Sequence, residues 1–349
     1  MKTKVYVGMS GGVDSSLSAA LLVDQGYDVT GVYMKNWTRN IPGFICPWEK
    51  DYFDAKKVAY QLGIPFKVFD LQTEYYASVV EYMLKAFQEG LTPNPDIMCN
   101  QEIKFKLFLD LCLEDGVDMI ATGHYAITKN GRLYKGQDES KDQSYFLYRV
   151  SETALKQTLF PVGEMKKSQV RKLAHEKKLF TADKKDSQGI CFVGEVGIKN
   201  FIISELGPQE PGQIIDKNGQ LVGYHDGAIF YTIGQRHGLN IGGGLPYYVT
   251  SKDMATNTVY VTRDLNDQKL WSSAINLANP WWINELPSEE LEYNLKCRYR
   301  SSEVKIHLRF LKNKKNVKLS LLDQIKAASP GQSAVIYLKN RVVGGGIII

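Results

Sequence analysis

The run Val5-Tyr-Val-Gly-Met-Ser-Gly-Gly-Val-Asp-Ser-Ser-Leu17 constrains this chain most. An apolar stretch ends in Ser10-Gly11-Gly12, and Asp14-Ser15-Ser16 open a helical pattern carried by Leu17, Ala20 and Leu21. The pattern predicts a strand, a tight glycine turn and a helix N-terminus. Glycines let backbone approach a ligand closely, and exposed N–H groups at a helix start attract anions. The hydroxyls of Ser10, Ser15 and Ser16 add donors without filling the space. The arrangement suits a pyrophosphate. It is not a Walker loop, because no Gly-Lys-Ser/Thr follows. A plain glycine turn between strand and helix is the competing reading.

The pattern continues as strand and helix in alternation. Lys4–Met9, Asp28–Met34, Phe66–Asp70 and Met119–Thr122 read as strands. Ser15–Gln25, Tyr52–Leu62, Ala77–Gln88 and Glu102–Glu114 read as helices. Short apolar strands separated by helices predict an α/β fold with a doubly wound parallel sheet. Such sheets bind ligands beyond the carboxyl ends of their strands. Gly8–Ser15, Met34–Trp37 and Gly123–His124 all fall at such ends. After Leu206-Gly-Pro-Gln-Glu-Pro-Gly212 the chain turns to short strands, and a second break at Asn279-Pro280 precedes five more. Two small all-β domains are expected, the last a β-barrel. The division is 1–206, 207–278 and 279–349. The Lys312-Asn-Lys-Lys315 cluster reads as a solvated hairpin turn.

A chain of 349 residues is long enough for two or three domains. No apolar run approaches the roughly 20 residues that span a bilayer, and the N-terminus enters a strand directly, so no membrane or export segment is expected. A net charge of +5 is compatible with a phosphate-rich partner. The five cysteines, Cys46, Cys99, Cys112, Cys191 and Cys297, form no CxxC pair, which argues against a zinc or iron–sulfur site. No metal ligands are assigned. The cysteine pattern fits a reducing cytoplasm.

Two cysteines have settings that favour chemistry. Cys99 follows the proline-stiffened Thr92-Pro-Asn-Pro-Asp96 loop, with Asn100 a natural N-cap for the helix expected after it. A thiol at a helix start carries more thiolate, and nearby Asp96 is a candidate base. Cys191 follows Lys184 and Lys185, which favour a thiolate if they stay near. For each, a buried structural cysteine is the alternative. Cys112 lies on the apolar stripe of the helix and reads as filling; Cys46 and Cys297 have no reactive setting. His124 at a strand end is a structural or ligand-contacting residue. Lys141-Asp-Gln-Ser-Tyr-Phe146 mixes charge, amide and aromatic groups that suit phosphates and bases, or simply start a helix. Tyr299, Arg300 and Gln332 are RNA-contact candidates set against an ordinary solvated strand face.

Taken together, these runs resemble the tRNA-specific 2-thiouridylases, the MnmA/TrmU family. Those that carry the likeness are Gly8-Met-Ser-Gly-Gly-Val-Asp-Ser15, Met34-Lys-Asn-Trp37, Thr92–Asp96 with Cys99-Asn100, and Ile103-Lys-Phe105. They continue as Ala121-Thr-Gly-His-Tyr125, Lys141–Leu147, Phe160-Pro-Val-Gly163, Asp186-Ser with Gly189-Ile-Cys-Phe192, Thr232-Ile-Gly-Gln-Arg236, Tyr299-Arg300, Pro330-Gly-Gln-Ser-Ala334 and Gly344-Gly-Gly346. The resemblance implies a PP-loop ATP pyrophosphatase domain that adenylates O2 of the wobble uridine, position 34, before sulfur replaces that oxygen and AMP leaves. It implies that Gly8, Met9, Ser10, Gly11, Gly12, Val13, Asp14, Ser15, Met34 and Gly123 hold ATP, with Mg2+. Asn94, Pro95 and Asp96 would meet the target base. Cys191 would carry a persulfide and Cys99 would be the partner thiol. His124, Lys141, Asp142, Gln143, Tyr299, Arg300 and Gln332 would contact tRNA. A persulfide-donating sulfur carrier or cysteine desulfurase is the implied second partner. The competing functions are an amidating synthetase that shares the ATP loop and a non-catalytic RNA-binding protein.

Overall fold

The computed structural model describes residues 2–43, 45–186, 197–242, 244–311 and 316–349. Cys191 and the Lys312–Lys315 cluster lie outside the described residues. Strands β1 (Lys4–Gly8), β2 (Asp28–Lys35), β3 (Phe66–Asp70) and β4 (Met119–Ala121) are the short apolar runs of the first half. A hairpin follows, β5 (Ala126–Lys129) and β6 (Arg132–Lys135), then the short β7 (Thr158–Leu159). The first sheet has the order β3-β2-β1-β4-β7 and is parallel throughout.

Alternation along β1 feeds two cores. Val5 and Val7 pack with Ala19 and Leu22 of helix α1 (Val13–Asp24) and with Ala55, Val58 and Ala59 of α2 (Trp48–Leu62). Tyr6 faces the other way, onto Phe105, Phe108, Leu109 and Cys112. The chain leaves β1 toward β2 and β3, then returns to β4 on the opposite side of β1. That reversal opens a crevice at the carboxyl ends of β1 and β4, where open α/β sheets bind ligands.

Strands β8 (Gly212–Asp216), β9 (Leu221–His225), β10 (Tyr248–Asp253) and β11 (Thr258–Thr262) form the second sheet, ordered β10-β11-β8-β9. The third comprises β12 (Trp271–Trp282), β13 (Glu292–Lys296), β14 (Val304–Phe310), β15 (Asn316–Lys326), β16 (Ser333–Leu338) and β17 (Arg341–Ile348). A β12–β17 pairing closes these six strands into a barrel. Closure depends on small residues: a Cβ at Gly344 would lie 2.1 Å from the Trp281 carbonyl oxygen of β12.

Two features depart from the sequence reading. Asn279-Pro280 does not precede the barrel strands but sits inside β12, where Asn279 takes φ 45° and the register shifts between Ala278 and Trp281. The β15 pairing ends there, at Ala278, while the β17 pairing runs from Leu277 on through Trp282. Turn-forming residues mark a bulge as readily as a boundary. The β5–β6 hairpin, which the sequence reading missed, extends the barrel sheet through β6–β17 pairing.

Candidate active site

The loop after β1 has the predicted geometry. Gly11 takes φ +73°, and a Cβ there would lie 2.4 Å from the Asp51 carbonyl oxygen in α2. Gly12 caps α1 without a side-chain hydrogen bond, so the helix start presents backbone. Ser15 and Ser16 donate their hydroxyls to the Gly12 carbonyl at 3.2 and 2.7 Å, and Ser15 Oγ accepts from the Ser10 N–H at 3.2 Å. Ser10 itself is exposed. Met9 and Val13 are buried and anchor the two sides of the turn. Met34 lies beside the loop, since a Cβ at Gly8 would come within 2.9 Å of its methyl carbon. Gly123, at the end of β4, touches the start of α1: a Cβ there would lie 2.7 Å from the Ser15 nitrogen. These residues therefore share the crevice mouth. A glycine-lined turn backed by a helix N-terminus fits the oxygen atoms of a nucleotide triphosphate.

Behind the loop sits a charge network that sequence spacing did not reveal. Lys167 grips Asp14 at 2.6 and 2.8 Å and Asp186 at 2.8 Å. Tyr125 donates its hydroxyl to Asp14 at 2.7 Å. Lys141 and Arg171 also meet Asp186, at 2.8 and 2.7 Å. Burial alone would raise the Asp186 carboxyl, but the hydrogen bonds from Lys141 and Lys167, with their charges, hold it down at about 2. Asp186 ends the described residues before Cys191, so the base of the Cys191 segment is tied to the loop at Asp14.

The Cys99 helix begins earlier than expected. It is α-helical at Pro95–Met98, π-helical at Cys99–Leu107 and α-helical again at Phe108–Glu114. Asn94, not Asn100, is the N-cap: its side-chain oxygen accepts from the Asp96 and Ile97 N–H groups at 3.1 and 3.4 Å, with Pro95 at the first helical position. Cys99 thus sits one turn in, beyond the stretch where a helix end acts most strongly. It is buried, at 4% exposure. Burial raises the Asp96 carboxyl above the ordinary carboxylate range, and Lys104 opposes that rise. The His124 ring packs on Phe105 and Phe160 with Nδ1 2.8 Å from Thr122 Oγ1, and burial, then Lys104, hold it well below the usual imidazole range. His124 is therefore neutral. Lys104, which acts on both groups, was missed; its only signal was membership of the Ile103-Lys-Phe105 run. Burial pushes the Cys46 and Cys112 thiols up, and takes Cys297 to about 12, as suits inert filling.

The remaining candidates divide. Lys141 is half-buried in its pair with Asp186. Asp142 is buried and turned inward, accepting from the Gly136 and Ser144 N–H groups at 3.0 and 3.1 Å. Gln143 accepts from the Tyr125 N–H at 2.9 Å. The latter two shape the segment. Tyr299 packs on Phe146 with ring centroids 4.5 Å apart and planes tilted by 46°, bringing the barrel onto that segment, and Arg300 is exposed beside it. Gln332 accepts from Arg298 Nε at 3.3 Å, and Arg298 also reaches the Ile233 and Ala327 carbonyls.

The family model for the tRNA methyl transferase HUP domain matches residues 3–195. Models for the tRNA methyl transferase PRC-barrel domain and the aminomethyltransferase beta-barrel domain match 199–263 and 272–348. A tRNA-specific 2-thiouridylase of Bacillus subtilis (strain 168) is 43% identical over 353 residues, covering 99% of this chain and 95% of that protein. One from Enterococcus faecalis is 43% identical over 357 residues with the same coverage. The chain belongs to the tRNA-specific 2-thiouridylase family. The family's PP-loop fold implies ATP use. The helix that carries Cys99 reaches the β1 and β4 ends through Phe105, whose ring packs on His124 at 5.6 Å, and Phe108, 3.7 Å from a Cβ built at Gly8. Among the described residues no helix is long and apolar enough to cross a membrane.

Proposed function

We propose that this chain catalyses ATP-dependent 2-thiolation of uridine 34 in tRNA. Full-length similarity to 2-thiouridylases is the observation that carries the reading. The crevice chemistry supports it. Uracil O2 is a poor leaving group; transfer of AMP from ATP onto O2, with loss of pyrophosphate, turns it into a good one. Gly8–Ser15, Met34 and Gly123 hold the nucleotide, and Mg2+ enters with its phosphates. Asn94, Pro95 and Asp96 receive the base, which must leave the anticodon stack. The terminal sulfur of a Cys191 persulfide bonds to C2 and AMP departs. Cys99 thiolate then attacks the Cys191 sulfur, the S–S bond to the transferred sulfur breaks, and a Cys99–Cys191 disulfide remains. In the alternative order Cys99 frees sulfide first, which then attacks C2. Asp96, whose carboxyl is raised by burial and so made more basic, is the candidate to take the proton. Residues 1–206 carry the chemistry; the two β domains that follow grip the tRNA, with Lys141 of the first domain and Tyr299, Arg300 and Gln332 of the barrel on its path. His124, Asp142 and Gln143 support that path from inside. A persulfide donor loads Cys191 in the cytoplasm.

The test is mass spectrometry of tRNA nucleosides after incubation with ATP, Mg2+ and a persulfide donor. The expected product is 2-thiouridine, absent with Cys191→Ser while tRNA binding persists. ATP turnover without thiolated product would favour an amidating synthetase instead.

A further inference from the structure

Asn100 is 2% exposed, and its side-chain oxygen has no hydrogen-bond partner among the described residues. Its amide nitrogen donates to the Phe146 carbonyl at 3.1 Å. A carbonyl accepts only, so the nitrogen must face Phe146, and the unpartnered atom is fixed as the oxygen. A buried acceptor left unpaired costs stability, and a ligand donor that reaches it recovers that loss. Asp96, Cys99 and Asn100 stand at i, i+3 and i+4, the spacing that shares one helix face. The Phe146 end of the tether belongs to the segment that packs on Tyr299. The residue that bears the acceptor thus follows the candidate thiol on its helix and is tethered to the segment that meets Tyr299.

We infer that Asn100 reads the N3–H of the target uracil and so selects uridine over cytidine. This rests on the functional reading above. The reacting oxygen, O2, is common to both pyrimidines, so selection must use the N3–C4 edge. Uracil carries a donor at N3; cytosine carries a lone pair there, which would face the Asn100 oxygen unfavourably. An amide also accepts the N3 hydrogen without removing it. N3 stays protonated, C2 of the activated base stays electrophilic, and Asp96 is left to take the proton of the attacking sulfur.

The test uses synthetic anticodon stem–loops with uridine, cytidine or 3-methyluridine at position 34, mixed in one reaction and read by nucleoside mass spectrometry. 3-Methyluridine keeps O2 and O4 but lacks the N3 hydrogen. Wild-type enzyme is expected to thiolate uridine at least about 100-fold faster than either analogue. In Asn100→Ala the uridine-to-cytidine ratio should fall by about 10–100-fold. The ratio comes from a single preparation, so incomplete folding cancels. Wild-type thiolation of 3-methyluridine within a few-fold of uridine, or an unchanged ratio in Asn100→Ala, overturns the inference alone. No 2-thiouridine from wild-type enzyme overturns the functional reading and this inference with it.

Discussion

Replacing Gly123 by alanine adds one methyl group at the most crowded point of the crevice. The added carbon would lie 2.7 Å from the Ser15 nitrogen, 2.8 Å from the Asp14 carbonyl carbon and 3.1 Å from Asp14 Cβ. Ordinary contact begins near 3.4 Å, so the end of β4 and the start of α1 must part by about 0.7 Å. The obstructing atoms are mostly backbone, which cannot rotate away. Overpacking of this kind costs about 1–3 kcal/mol. At ~2–4 °C per kcal/mol, the melting temperature should fall by about 2–12 °C. The functional loss should be larger, because the displaced backbone is what cradles phosphates. A shift approaching 1 Å in positioning groups costs about 100-fold in rate. The assay is tRNA-dependent AMP release, read beside the melting curve and a tRNA-binding titration. We expect AMP release to fall about 100-fold with tRNA affinity within twofold of wild type. Wild-type turnover and melting in Gly123→Ala would refute the crowding argument.

Three further outcomes are expected. Lys167→Met leaves Asp14 and Asp186 without their shared cation and should cost about 1–3 kcal/mol, discounted for partial exposure and for the remaining partners Arg171, Lys141 and Tyr125. The Asp186 carboxyl is held down at about 2, so its stabilisation is complete above its unfolded value near 4 and lost as pH falls through about 2; the melting gap between wild type and variant should close over that window. Lys104→Met removes the cation that opposes the rise at Asp96, so the carboxyl ionises later and the acid limb of the thiolation pH profile should move to higher pH; an unmoved limb would separate Lys104 from Asp96. Arg300→Ala should reduce the slope of log affinity for tRNA against log salt by about one unit, and filter binding at several salt concentrations measures it.

The parts of the fold legible in the sequence were those written locally. Gly11, Gly12 and the apolar run before them specify the turn because no other residue tolerates φ +73° against the Asp51 backbone. The central strand β1 buries Val5, Tyr6 and Val7 on both of its faces, so it stood out as an unbroken apolar run. The β5–β6 hairpin did not, although Asn130 and Gly131 at positive φ form the turn such hairpins prefer; its strands are four residues each, and their partner strand lies some two hundred positions away. The start of the Cys99 helix was misplaced because Asn94 and Asn100 are both plausible caps, and Pro95 at the first helical position was taken as loop stiffening. Lys167 was invisible for a different reason. Its pairing with Asp14 spans 153 positions, and nothing in a Lys-Lys-Ser run distinguishes a solvated lysine from one that clamps two carboxylates.

The antiparallel splice of β6 onto β17 has a mechanical meaning. Leu133 and Tyr134 register against Val342 and Arg341, so a ribbon that leaves the nucleotide-binding half a few residues after Gly123 is woven into the wall of the barrel. A tether of hydrogen-bonded strands resists bending far better than a loose linker. On the function proposed above, the span from Tyr299 to the glycine turn would act as a fixed gauge for the reach at which an RNA hairpin presents its everted nucleotide. Adding a residue pair to the ribbon would lengthen the gauge by roughly 3.4 Å per residue and shift which nucleotide of the loop arrives at Cys99.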